Sequence, residues 1–160
     1  MRRAAVTLTV TASLLLGTVA PAAASARSIG AALRAAMPAG APFPGLRATH
    51  VHVGGRPLLV VLARTETERN VGLRQRSTLG PYDGMLFVFN GDVKTAFTMS
   101  TVPVGLDIGF YKADGRVVGH LRMRPCAGTE AQCPTYDIRK PFRYALETLV
   151  GRLPRGRLAG

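Results

Sequence analysis

Tryptophan is absent from this 160-residue chain, cysteine occurs twice, histidine three times and acidic residues only nine times. Each scarcity excludes something. Two cysteines cannot build a disulfide-dense mini-protein or a four-thiolate zinc site. Three histidines with no H-E-x-x-H and no carboxylate cluster leave a catalytic metal centre without its ligands. The only serines after Ser28 are Ser77 and Ser100, neither of them in a G-x-S-x-G elbow, so no serine nucleophile can be assembled. No glycine-rich phosphate loop stands between a strand and a helix. There is no sustained heptad or solenoid repeat. The apolar share of 47% is nevertheless that of a globular protein, which excludes wholesale disorder.

Few acids against 21 Lys and Arg give a formal net charge of +12. Such a balance invites a nucleic-acid or membrane-surface partner. Its placement argues otherwise. Arg2 and Arg3 precede an uncharged run, Ala4 to Ala20, and then Pro21 and the small residues Ala22-Ala23-Ala24-Ser25-Ala26. That is the three-part pattern of a secretory signal peptide over residues 1–26. No second stretch is long and apolar enough to cross a bilayer. The remaining chain has 19 basic and 9 acidic residues, net +10. Residues 65–115 are net −1, so the surplus sits on the flanks. Aromatics do not interleave with it and no reading motif is present, which argues against nucleic acid. An anionic cell-wall polymer or lipid headgroups suit an exported basic protein better, and a solvated surface in a chain of Arg-rich composition accounts for the charge at least as well; a small ligand is the other partner expected.

Residues 27–46 are rich in Ala, Pro and Gly, with Pro38, Pro42 and Pro44 close together. Ser28 can cap a short helix, but the prolines favour a linker. From Thr49 the apolar period becomes two. His50 to Val53 and Leu58 to Leu62 flank Gly54-Gly55, a hairpin signal. Thr65-Glu66-Thr67-Glu68 is a capping box that predicts a helix over 66–76. Strands are expected at 85–89, 95–99, 106–112, 117–123 and 144–150, with Asn90-Gly91 and Asp114-Gly115 as turns and a basic tail after Gly151. The sum is one mainly β (α+β) domain over 47–160, a small antiparallel barrel or sandwich with one short helix.

Gly72-Leu73-Arg74-Gln75-Arg76, Leu79 and Gly84-Met85-Leu86-Phe87-Val88-Phe89 are followed by Phe97-Thr98-Met99-Ser100-Thr101 and Leu106-Asp107-Ile108. Pro125-Cys126, Cys133-Pro134-x-Tyr136, Tyr144-Ala145-Leu146-Glu147 and Gly151 come after them. In order and spacing these resemble the uncharacterised bacterial and archaeal family catalogued as domain of unknown function 192. The resemblance runs from about Val53 to the C-terminus and implies a compact β-rich domain, often exported or lipid-anchored. It implies no established activity. The chain departs from the family pattern where Thr98 replaces Trp, Ser100 replaces Lys, Thr101 replaces Asn and Gly105 replaces Pro.

Cys126 and Cys133, flanked by prolines in an exported chain, are expected to close a disulfide rather than form a catalytic pair, since they are not C-x-x-C. His50, His52 and His120 can be drawn together as metal ligands, but a solvated strand face is the better account of the first two, and no metal or cofactor is assigned. Asp107 stands between Leu106 and Ile108, so it needs a partner; Arg76, Arg69 and the amides near Thr101 are candidates. Either it anchors a ligand in a pocket or it makes a structural ion pair. The ligand-binding candidates are thus Arg76, Met99, Thr101 and Asp107. Two functions remain: a non-catalytic exported module that binds a ligand or envelope partner, and a small extracytoplasmic enzyme using Asp107 with neighbouring arginines.

Overall fold

Eight strands form one sheet in the order β1-β2-β3-β4-β9-β6-β7, with β10 also pairing β2, in a computed structural model that describes residues 28–160. The elements in chain order are α1 (Ile29–Arg34), β1 (Met37–Pro38), β2 (Arg47–Val53), β3 (Arg56–Ala63), α2 (Glu66–Val71), β4 (Gly84–Val93), β5 (Phe97–Thr98), β6 (Leu106–Tyr111), β7 (Val117–Met123), β8 (Thr135–Tyr136), β9 (Phe142–Leu149) and β10 (Leu158–Ala159). The short strands β5 and β8 pair separately. The expected secretion signal at residues 1–26 lies outside the described residues.

The chain is mainly β, as its two-residue periodicity predicts, but the sheet does not close into a barrel and is not wholly antiparallel. β3 and β4 run parallel, with Val60 opposite Gly84 and Ala63 opposite Phe87. A parallel pair needs a crossover, and α2 supplies it. Buried on both faces, β3 carries an almost unbroken apolar run rather than strict alternation. One face of the sheet packs Val61, Met85, Phe87, Leu106, Ile108, Phe110 and Ala145 into one core. The other packs Val51, Val53, Val60, Leu62, Leu86, Tyr111 and Leu146 into a second.

Four boundaries differ from the sequence reading. In the segment expected to be a linker, residues 28–46 contribute to the fold: Ile29, Ala32, Ala36 and Phe43 are buried, Thr49 Oγ1 donates to the Ala32 carbonyl at 2.9 Å, and the Phe43 ring meets Tyr82 edge-on at 5.8 Å. Enough apolar side chains alternate with the prolines to hold an irregular segment against the sheet. Among the described residues there are therefore two helices, not one. The Thr65 capping box forms, with Thr65 Oγ1 accepting from the Glu68 amide at 3.2 Å. The helix ends at Val71, not Arg76, because Gly72 takes φ 48°, a conformation that glycine adopts readily. Asn90-Gly91 does not reverse the chain; β4 continues through it with a register shift between Val88 and Val93. Finally, the basic tail contributes β10.

Candidate functional site

A cleft of about 550 Å³ opens on the face of the sheet that carries α2. One wall is α2 and the turn after it, contributing Glu66, Arg69, Asn70 and Arg74. Another is β4 with Phe87 and Phe89, and a third is the run from Lys94 to Thr98. The aromatic rings brace one another edge-on: Phe87 meets Phe97 at 5.2 Å and Phe97 meets Phe110 at 5.7 Å. Such an edge-to-face network fixes ring positions, so the apolar wall is pre-formed.

Two of the three rim cations are held by the protein itself. The Arg69 guanidinium lies 4.8 Å from the Phe89 ring centre and donates to the carbonyls of Arg64 (2.6 Å) and Val88 (3.0 Å). Arg74 donates to the Asn70 carbonyl at 3.0 Å and pairs with Glu130. Lys94 is exposed on the rim.

Glu147 lines the inner end of the cleft. The register explains its position. It stands opposite Met85 on β4 and Ile108 on β6, so it shares their face of the sheet in the middle of three paired strands. It is 4% exposed, and among the described residues no hydrogen bond or ion pair reaches its carboxyl. Burial disfavours the charged form and pushes its pKa up to about 8. A carboxyl of this kind keeps its proton at neutral pH and is a hydrogen-bond donor as well as an acceptor.

Asp107 lies on the opposite face, one register position away, beside Thr148 and Arg122. Arg122 Nε donates to Oδ1 at 2.8 Å and the Gly151 amide donates to Oδ2 at 2.6 Å. The Arg122 hydrogen bond, reinforced by the Gly151 amide, holds the Asp107 carboxyl below the usual range. His120 and Arg155 share its shallow depression. Neither Arg76 nor Arg69 partners it. Arg76 lies over the Phe43 ring at 5.1 Å and lines, with Thr101, a second shallow depression beside α2. Met99 is fully buried in the core. The four candidates are thus distributed over the core and two separate depressions. Cys126 and Cys133 form a disulfide with Cα atoms 5.9 Å apart. Among the described residues no three His, Cys, Asp or Glu side chains gather as a metal site.

A family model described as an uncharacterised ACR, DUF192, matches residues 49–159. The chain belongs to the DUF192 family. No curated protein matches the sequence. Among solved structures, it is similar to a protein of unknown function from Novosphingobium aromaticivorans, at 28% identity and a TM-score of 0.61, over 79% of this chain and 95% of that one. It is also similar to a putative transcription regulator from Sinorhizobium meliloti, at 27% identity and a TM-score of 0.58, over 71% and 91% of the two chains.

Thr98, where the chain departs from the DUF192 pattern, stands on the cleft wall. Thr101, at an Asn position, has φ 59°. Its backbone joins two loops: its carbonyl accepts from the Gln75 amide and its amide donates to the Cys126 carbonyl, both at 2.8 Å. Sequence reasoning passes over Glu147, although the signal is present. Ala145, Glu147 and Leu149 share one face of a strand otherwise rich in apolar residues, which puts a carboxyl into the core.

Proposed function

We propose that this DUF192 protein is an exported, non-catalytic binding module of the cell envelope that holds a small ligand in the cleft between α2 and β4. The observation that carries the reading is the inner end of that cleft. A buried carboxyl with no partner among the described residues shares the cleft with a pre-formed aromatic wall, beneath a rim that bears charge. Pockets of a few hundred Å³ with apolar walls and few polar groups are the usual form of a ligand site. The disulfide supports an extracytoplasmic location, since such bonds persist in oxidising compartments. The alternative, an enzyme using Asp107, has less support because that carboxylate is already occupied by Arg122 and the Gly151 amide.

Titrating a set of small aromatic and aliphatic fragments into ¹⁵N-labelled protein tests the proposal. Amide shifts should gather at Asn70, Gly72, Phe87, Phe97 and Thr98. Shifts confined to Asp107, His120 and Arg155 would overturn it in favour of the opposite face.

A further inference from the structure

The charges around the cleft narrow the class of ligand. Facing Glu147 are Glu66, Arg69 and Arg74 from α2 and the turn after it, Lys94 from the β4–β5 connection, and Glu130 from the disulfide loop. Its flanking neighbours in the sheet, Met85 and Ile108, carry no charge. With Glu147 neutral, the rim has three cations against two anions. Arg74 and Glu130 satisfy each other, and Arg69 is committed to two carbonyls and a ring. Three cations against two anions leave the rim with a net charge of +1, its exposed unpaired groups among the described residues being Lys94 and Glu66. The inner end offers a carboxyl that, among the described residues, has no hydrogen-bond partner. Between them lie Phe87 and Phe97, which accommodate a flat or branched apolar body.

We infer that the cleft takes a small organic carboxylate with an apolar body, its body against the aromatic wall and its anionic oxygen hydrogen-bonded to the Glu147 carboxyl at the inner end, beneath the net positive charge of the rim. The inference rests on the cleft being the binding site. A hydrogen bond from a carboxylic acid to a carboxylate is short and strong, and two carboxyl groups at one site share a single proton readily. A cationic ligand would face the reverse arrangement: it would cross a positive rim to reach a carboxyl that holds its proton. Deprotonating Glu147 turns the donor into a like charge, so an anion is expelled as the pH rises past about 8.

Three probes of one size and different charge separate the possibilities: benzoate, benzamide and benzylamine. Each is titrated into the full-length protein by calorimetry and followed by amide shifts, from pH 6 to pH 9.5. Benzoate should bind most tightly at pH 6. Its affinity should fall toward tenfold per pH unit above Glu147's titration. In Glu147→Gln, which keeps a neutral donor, benzoate should still bind with that pH slope gone. Tighter binding of benzylamine at cleft residues overturns the inference while leaving the cleft as the binding site. So does equal binding of benzamide and benzoate, or a slope that persists in the variant. If none of the three shifts a cleft residue, the reading of the cleft fails, and this inference with it.

Discussion

At the scale of single residues, Glu147 is a carboxyl that burial forces away from its ordinary titration. Its folded pKa is raised to about 8, so between its unfolded value near 4.5 and about 8 the native state binds more protons than the unfolded chain. Stability then falls as pH rises through that window, by on the order of 1 kcal/mol per pH unit at the steepest, and levels off above it. Chemical denaturation from pH 4.5 to pH 9 should show this fall in the wild type and lose it in Glu147→Gln, which should also be the more stable protein at neutral pH. Equal slopes in the two proteins would contradict the buried neutral carboxyl. Thr101 bears a different strain. A β-branched residue at φ 59° is costly where Asn or Gly is not. Thr101→Asn should therefore raise stability by about 1 kcal/mol, read as an upward shift of the melting temperature, because the hydrogen bonds to Gln75 and Cys126 are backbone bonds that the substitution leaves in place.

At the scale of elements, the disulfide is the strongest local restraint on the loop beside the cleft. Cys126 closes isolated bridges with Ser100 and Val102, so the loop that carries Glu130 is tied to the segment that carries Met99 and Thr101. For so short a loop the chain-entropy relation gives about 2.5 kcal/mol. Reduction, or Cys126→Ala with Cys133→Ala, should lower the unfolding free energy by about that much and quicken exchange of the Thr101 amide with solvent, measured by hydrogen exchange. Elements of this kind were legible wherever the signal is local. The Thr65 capping box, the hairpin around Gly54-Gly55 and the pairing of the two cysteines are each written within a few residues. What could not be read is long-range. The insertion of β9 between β4 and β6 joins residues from 33 (Tyr111 and Tyr144) to 64 (Gly84 and Thr148) positions apart, and it alone places Glu147 between Met85 and Ile108. The same pairing turns Asp107 to the other face, toward Arg122 and away from Arg76. A residue's neighbours across a sheet depend on strand order, which periodicity does not specify.

At the scale of the whole molecule, the sheet separates two tasks. Its cleft face carries Glu147 and the aromatic wall, and its other face is covered by both flanks of the described chain. Ile29 and Ala36 pack there from the N-terminal side, and Leu158 from the C-terminal side, with Leu158 opposite Val53 and its amide donating to the Gly115 carbonyl at 3.0 Å. The flanks are also where the net positive charge lies, so the segments of most basic composition are structural on their inner side. Leu158 is 1% exposed and fills the second core, on the far side of the sheet from the cleft. Leu158→Ala removes buried apolar volume at a chain end that can partly collapse, and it should cost about 2–4 kcal/mol. Below the lowered melting temperature, fragment binding in the cleft should stay within twofold of the wild type, since none of the residues lining the cleft belongs to that core. Unfolding and fragment titration on the same variant check both halves. A stable variant would mean that the tail is dispensable to the fold. Weakened binding by a folded one would mean that the two faces of the sheet are coupled through β4 and β9, the strands that contribute to both.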